Sequence, residues 1–265
     1  MSHNLIKLSV YLVLGGIMVS CSSSKTVPYQ SRWNAPFTYV DQAAPDQQDQ
    51  QSRIKYGVVN DDQFMYITLK ARDPLTVKSI LTSGLRLSFS PDGGRGNNFS
   101  LLFPVVNRDD RRALRNMELD LPNNLSLNRM LEAFNKEAVW KDKQGERFIN
   151  LVTTDSGIRC HISMDENQEL TQEFSIPLAR LGADPNRARL VDVTIKTEGS
   201  NGMPGGITPR VSVGMGSMGG FGMGGGGVGI GLGNGGRNNA TDRTVDIRLQ
   251  VILARDSFRE DLKER

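Results

Sequence analysis

Hydrophobic and polar residues alternate along most of this chain, and a period of two predicts β-strands. In the clearest case Leu85, Leu87 and Phe89 alternate with Arg86 and Ser88, as expected for a strand with one face in the core and one in water. Similar patterns predict strands at residues 55–60, 63–70, 84–91, 99–104, 147–153, 157–164, 170–176, 189–197 and 244–253. Many short strands separated by turn residues predict a mainly β protein, an antiparallel β-sandwich.

Two stretches break the β pattern. A short helix is predicted over Leu75–Leu81, with Gly84 marking its end. Residues 107–140 form a helical excursion with helices predicted at 108–119 and 126–138. The second helix carries its apolar side chains at helical spacing, at Leu127, Met130, Leu131 and Phe134. The excursion is expected to cover one end of the sandwich or to offer a surface to a partner.

A glycine-rich and methionine-rich loop separates the last two predicted strands. Residues 199–239 hold 18 of the 28 glycines and no acidic residue. Ordering glycine is entropically costly, so this loop is predicted to be disordered. The alternative is an adaptable apolar surface that touches a membrane or a partner. The strands on either side complete one sandwich, so the loop does not divide two domains.

The N-terminus has the pattern of a lipoprotein leader. Lys7 precedes the apolar run Leu8–Val19, which is too short to span a bilayer but typical of a signal peptide. The run ends at Cys21 in a sequence that resembles a bacterial lipobox, which predicts a signal peptide over residues 1–20 and lipid attachment at Cys21. An ordinary secretory signal is the alternative. No acidic residue follows Cys21 directly, which favours an outer-membrane lipoprotein facing the periplasm.

After the leader, the sequence predicts one domain on a flexible arm. Residues 21–53 are polar and are predicted to be a tether, although Trp33–Val40 is apolar enough to dock as an edge strand. Residues 54–254 form the domain and residues 255–265 a charged tail. The formal charge of +3 is spread along the chain without a basic stripe, so nucleic acid is not an expected partner.

Several segments resemble the family 9 carbohydrate-binding modules and the related DOMON-like domains, set here in a lipoprotein of the Bacteroidota type. The resemblance lies in Tyr56–Leu69, Gly84–Pro91, Phe103–Pro104 and Glu173–Leu181. It implies a β-sandwich and a non-catalytic role in binding a glycan or another small ligand. Members that bind sugar stack it on aromatic rings, which makes Trp33 and Trp140 the candidate ligand-binding residues. A structural alternative for Trp140 is that it anchors the helical excursion.

Few residues of this chain could support other chemistry. Asp92, Asn97 and Asn98 offer oxygen atoms for a calcium ion, although turn formation explains them equally well. Haem-binding DOMON relatives use Met and His ligands, but His161 is the only histidine after the leader and is expected to be a solvated strand residue, so no cofactor is predicted. Cys160 alternates with apolar residues and is expected to be a buried thiol.

The sequence therefore predicts a lipid-anchored, non-catalytic binding module without a nucleophile motif. The alternative is a structural or accessory envelope lipoprotein that acts through protein–protein contacts. An exposed aromatic patch on a sheet face would favour the first hypothesis. An apolar patch on the helices of the excursion would favour the second.

Overall fold

The computed structural model describes residues 26–33, 44–91, 99–116, 125–183, 190–198 and 243–255, and these residues form two β-sheets and four helices. The strands are β1 (Val27–Gln30), β2 (Arg32–Trp33), β3 (Gln47–Gln48), β4 (Lys55–Asn60), β5 (Phe64–Ala71), β6 (Leu85–Pro91), β7 (Phe99–Phe103), β8 (Glu137–Asp142), β9 (Gly145–Asn150), β10 (Arg159–Met164), β11 (Leu170–Pro177), β12 (Leu190–Thr197) and β13 (Asp246–Ile252). The helices are α1 (Pro74–Ser83), α2 (Arg108–Asn116), α3 (Leu125–Phe134) and α4 (Leu178–Leu181). The predicted mainly β class with a helical insertion is confirmed.

Both sheets are mixed. One has seven strands in the order β1-β13-β12-β6-β7-β8-β9. The other has six, in the order β10-β11-β5-β4-β2, with β3 also paired to β4. Neighbouring strands are antiparallel except for β1 beside β13 and β2 beside β4, which are parallel. The predicted antiparallel pairing holds for the other neighbouring strands, and the N-terminal segment adds one parallel strand to each sheet.

Most of the segment predicted to be a tether belongs to the fold. Tyr29 is buried, and its hydroxyl donates to Asp46 Oδ1 at 2.7 Å and accepts from the Val58 backbone N–H at 3.0 Å. Burial and the Asp46 carboxylate raise the pKa of Tyr29 to about 12. The tether prediction is wrong for residues 26–33 and 44–53, because strand pairing and one buried tyrosine offset the polar composition. The predicted edge strand is confirmed only at Trp33, since residues 34–40 lie outside the described part.

A buried polar cluster forms where the N-terminal segment crosses from one sheet to the other. Ser31 lies between β1 and β2, and its hydroxyl donates to Asn60 Oδ1. The Ala254 backbone N–H donates to both Ser31 Oγ and Asn60 Oδ1 at 2.8 Å, and Asn60 Nδ2 donates to the Ala254 carbonyl at 3.0 Å. Buried polar groups must be paired, so this cluster fixes the crossover against β4 and the end of β13.

The core lies between the inner faces of the two sheets. The predicted alternation in β6 is confirmed, because Leu85, Leu87 and Phe89 are buried. The ring of Phe103 on β7 packs edge-to-face on Phe174 of β11, with centroids 5.9 Å apart, and thereby joins the two sheets. The polar residues of the alternating strands consequently lie on two outer faces.

The helical excursion is shorter than predicted. The second helix ends at Phe134, and residues 137–142 form strand β8 between β7 and β9. The apolar face of this helix is buried as predicted, at Leu127, Met130, Leu131 and Phe134. Asn135, just after α3, pairs its side-chain amide with both backbone polar groups of Ile162 on the edge strand β10, at 2.7 and 3.0 Å. The excursion therefore covers a sheet edge.

Several predictions fall on residues outside the described ranges. These are the signal peptide at 1–20, Cys21, the turn with Asp92, Asn97 and Asn98, the loop at 199–239 and the tail beyond Arg255. Within the described ranges, no helix has the length and apolar character that a membrane span requires.

Gln172 is buried on the inner face of the six-stranded sheet. Neither polar atom of its side-chain amide has a hydrogen-bond partner among the described residues. It lies on β11 between Ile162 and Leu69. We expect Gln172→Met to raise the free energy of unfolding by about 1 to 3 kcal/mol, because it removes a buried, unpaired amide at nearly constant shape. Urea unfolding measures the change. Gln250→Met, at a partly exposed position, should change the free energy by less than about 0.5 kcal/mol. An unchanged or less stable Gln172→Met protein would contradict the prediction.

Candidate functional site

The outer face of the six-stranded sheet carries polar side chains in three adjacent rows that cross β10, β11, β5 and β4. Strand register places Arg159, Ser175 and Tyr66 in the first row, His161, Glu173 and Thr68 in the second, and Thr171, Lys70 and Lys55 in the third. Successive rows are two residues apart along each strand, or about 7 Å. The alternation that buries the other face of these strands thus gathers polar groups on one surface.

An aromatic pair begins this surface. The rings of Phe64 and Tyr66 are both partly exposed and lie 6.0 Å apart. The Tyr66 hydroxyl donates to Asp61 Oδ2 at 2.8 Å, while Asp61 Oδ1 accepts from the backbone N–H groups of Gln63 and Phe64, both at 2.7 Å. Asp61 therefore closes the turn between β4 and β5 and holds the Tyr66 ring in one orientation.

A depression of about 230 Å³ lies beside this ring. We call it the Tyr66 trough, and its outward-facing residues are Tyr66, Thr68, Arg159, His161, Glu173 and Ser175. Arg159, His161 and Glu173 are exposed, and none of the three makes a side-chain hydrogen bond or ion pair with another described residue. The trough therefore presents a cation, an imidazole, a carboxylate and hydroxyl groups beside an aromatic ring.

Cys160 lies beneath the trough, on the inner face of β10. It is buried, as predicted, and it is a free thiol. Burial raises the pKa of this thiol. A thiol that stays protonated is a poor nucleophile, so Cys160 belongs to the core and not to the chemistry of the surface.

A larger cleft, of about 560 Å³, lies on the outer face of the seven-stranded sheet. We call it the Arg86 cleft. The Arg86 guanidinium donates to Glu198 at 2.6 Å, to Glu146 at 3.0 Å and to Ser100 at 3.1 Å. Burial opposes the charge of Arg86, but the hydrogen bonds and charges of the two glutamates outweigh it and raise the pKa of Arg86. The central cation of this cleft is already neutralised by the protein.

The Arg86 cleft also offers little aromatic surface. Phe89 and Phe99 line it, but they are only 1% and 9% exposed. Ser88 lies on the wall of this cleft. Among the described residues, the cleft presents hydroxyl groups and charged side chains but no exposed ring for stacking.

Trp140 lies in the core, 1% exposed, on strand β8. Its ring stacks on Phe99 with centroids 6.1 Å apart, and its indole N–H donates to Asp142 Oδ2 at 3.1 Å. A ring in this position has no free face for a sugar. The burial of Trp140 agrees with a structural role. The element that it anchors is different from the predicted one: residues 137–142 are not helical, so Trp140 joins strands β7 and β8 and does not anchor the helical excursion.

Trp33 is partly exposed at the edge of the six-stranded sheet. Its register places it beside Asn60, in the row whose side chains point inward, and not in the row of Tyr66. The two tryptophans are therefore on different sheets, and neither belongs to the Tyr66 trough.

The described residues contain no group of three or more His, Cys, Asp or Glu side chains that could hold a metal ion. His161 is exposed on its strand, as expected. The calcium candidates Asp92, Asn97 and Asn98 lie outside the described part, so that hypothesis stays a prediction.

Sequence reasoning missed the residues of the Tyr66 trough, although one signal was present. Tyr66 falls between Met65 and Ile67 on an alternating strand, so its ring had to point away from the core. That Arg159 and Glu173 lie on adjacent strands follows from the strand order, which the sequence alone does not reveal.

No protein family model, curated protein or solved structure matches this chain. The resemblance to family 9 carbohydrate-binding modules and DOMON-like domains therefore stays a prediction.

Proposed function

We propose that this protein is a non-catalytic binding module that holds a glycan in the Tyr66 trough. The observation that carries the proposal is a partly exposed ring, fixed by Asp61, beside polar side chains without partners among the described residues. The C–H groups of a sugar face pack on an aromatic ring, and the sugar hydroxyls need donors and acceptors at its rim. Arg159 and Glu173 would supply them.

The Tyr66 trough suits a sugar better than the Arg86 cleft does, although the cleft is larger. A ligand in the cleft would compete with Glu146 and Glu198 for Arg86, and it would find no exposed ring among the residues that the structure describes. In the trough, the side chains of Arg159, His161 and Glu173 make no hydrogen bond or ion pair with other described residues. A sugar that binds there therefore breaks none of these interactions. Pre-formed sites with open polar groups bind at a lower cost.

The proposal includes the cellular setting predicted from the sequence. A lipid-modified Cys21 would anchor the protein to the outer membrane, facing the periplasm, and more than one acyl chain makes such anchoring stable. The module would then hold its glycan close to the membrane surface.

The accessory-protein alternative rests on an apolar patch on the helices of the excursion. The described residues of α2 and α3 instead bury their apolar side chains, Leu114, Leu127 and Phe134 among them, and expose Arg108 and Arg112. The partly exposed aromatic pair Phe64 and Tyr66 is the feature that favours a binding module.

A glycan array probed with the purified protein tests this proposal. We expect selective binding that Tyr66→Ala weakens by at least about tenfold, because an aromatic anchor at the centre of a binding site contributes about 2 kcal/mol. Tyr66→Phe loses the hydrogen bond to Asp61 but keeps the ring on which the sugar would pack. This variant should therefore retain most of the affinity.

Thr194→Val, in the Arg86 cleft, is the matched control and should bind like the unmodified protein. Binding that survives Tyr66→Ala but is lost in Thr194→Val would show that the glycan binds in the Arg86 cleft on the seven-stranded sheet. Absence of binding to every glycan on the array would overturn the proposal.

A further inference from the structure

A group of basic side chains lies at the opposite end of the surface that carries the Tyr66 trough. A depression of about 360 Å³ is lined there by Gln48, Arg53, Lys55, Lys70, Arg72, Asp73, Pro74 and Glu169, and we call it the cationic cleft. Arg243 also reaches it, 3.3 Å from Asp73. Five cations against two carboxylates give the cleft a net charge of +3. Such a concentration of positive charge attracts anions.

Both carboxylates of the cleft are already shared among the cations. Glu169 pairs with Arg72 at 2.7 Å and with Lys70 at 3.5 Å. Asp73 pairs with Arg53 at 3.2 Å and with Arg243 at 3.3 Å, and it also caps α1. Within the described residues, Lys55 has no ion pair or side-chain hydrogen bond. The positive charge of the cleft is thus only partly compensated.

Lys55 and Lys70 lie directly opposite each other on the antiparallel strands β4 and β5. Like charges in this cross-strand position destabilise a sheet. A bound oxyanion would turn this repulsion into two charge-assisted hydrogen bonds. The pair therefore has the arrangement of a site that is completed by an anion.

The cationic cleft and the Tyr66 trough share one face of the sheet. Lys70 is two residues beyond Thr68 on β5 and four beyond Tyr66, so the Cα atoms of Tyr66 and Lys70 are about 13 Å apart along the strand. That span is longer than one sugar ring and suits an oligosaccharide. A chain lying along β5 would meet the ring at one end and the lysines at the other.

We propose that the ligand of this face is an acidic glycan, whose carboxylate, sulfate or phosphate group is bound by Lys55 and Lys70 in the cationic cleft. The glycan part of this inference rests on the function proposed above, whereas anion binding by the two lysines stands on the charges of the cleft alone. Arg53 and Arg72, 60% and 62% exposed, lie at its rim and would add to the attraction.

Inorganic sulfate tests the anion site without any glycan. Thermal unfolding is followed in sodium sulfate and in sodium chloride of equal ionic strength, at low millimolar salt, where general screening is the same in both salts and the non-specific stabilisation of proteins by sulfate is negligible. We expect sulfate to raise the Tm of the unmodified protein by more than chloride does. Lys55→Gln should remove this difference and should itself raise the Tm in low-salt chloride by about 2 °C, because the lysine repulsion is gone.

Lys141→Gln, at an exposed position in the Arg86 cleft, is the matched control and should keep the full response to sulfate. An equal effect of sulfate and chloride on the unmodified protein would overturn the inference. A sulfate effect that survives in Lys55→Gln and Lys70→Gln would also overturn it, because the anion would then bind elsewhere.

The same variants on the glycan array separate this inference from the proposed function. Lys55→Gln and Lys70→Gln should weaken binding of acidic glycans by about tenfold, since each removes a charge-assisted hydrogen bond, and should leave neutral glycans unaffected. Tyr66→Ala should weaken both classes while leaving the sulfate response intact. Equal binding of acidic glycans by the lysine variants and the unmodified protein would refute an acidic ligand without refuting a glycan site at Tyr66.

Discussion

Trp140→Ala is expected to lower the free energy of unfolding by about 4 kcal/mol, because it removes the largest fully buried side chain of the described core. The substitution would leave a cavity beside Phe99, on which the indole ring stacks. Asp142 would lose the indole N–H but keep its ion pair with Arg147 at 2.7 Å, so the loss comes mainly from packing. Urea unfolding followed by circular dichroism measures the change.

Trp140→Phe is the milder companion and should cost about half as much, which keeps the protein folded for a binding assay. Its glycan affinity should equal that of the unmodified protein, because position 140 is on the other sheet from the Tyr66 trough. Trp33→Ala, at the partly exposed sheet edge, should cost about 1 kcal/mol or less. Trp140 would be shown to contact the ligand if Trp140→Phe kept its stability but lost glycan binding.

Gly84→Ala is expected to destabilise the domain by about 3 kcal/mol or more, for two separate reasons. Gly84 has a φ of +74°, which L residues adopt only with strain. An added Cβ would also collide with the backbone carbonyl oxygen of Pro104, which follows β7 and cannot move aside easily. Gly84 joins the end of α1 to β6, and its carbonyl accepts from the Glu198 N–H at 3.1 Å. Relief of the collision would therefore disturb several elements at once.

Gly182→Ala provides the control that separates strain from collision. Gly182 ends α4 with a φ of +64°, and a Cβ there would meet no atom of the described residues within 4 Å. Its replacement should cost about 1 kcal/mol, the penalty of the left-handed conformation alone. Equal losses at positions 84 and 182 would mean that the contact with Pro104 adds nothing.

The strands could be predicted from the sequence because burial on one face imposes a period of two. Tyr66, Arg86 and Glu173 all fall at polar positions of such strands, and all three lie on outer faces. Periodicity is a local property, so it also found the buried face of α3. It misassigned residues 137 and 138 as helix, because Ala138 continues the helical spacing of apolar residues while the backbone pairs with β9.

The parallel strands and the site could not be predicted, because both depend on which distant segments meet. Tyr29 is one apolar residue in a polar stretch, and only its place beside Asp46 and Val58 makes that stretch part of the fold. Likewise Glu169 and Arg243 come from distant parts of the chain, and only the fold brings them to Lys55 and Lys70 at the proposed anion site.

The most direct test of the proposed site is an NMR titration of the purified protein with the glycan that binds best on the array. We predict that the shifted resonances lie on the outer face of the six-stranded sheet and include Tyr66, Thr68 and Glu173. Resonances of Ser88 and Thr194, in the Arg86 cleft, should stay unchanged. Shifts confined to the Arg86 cleft, or saturable binding that leaves the Tyr66 trough unperturbed, would contradict the proposal.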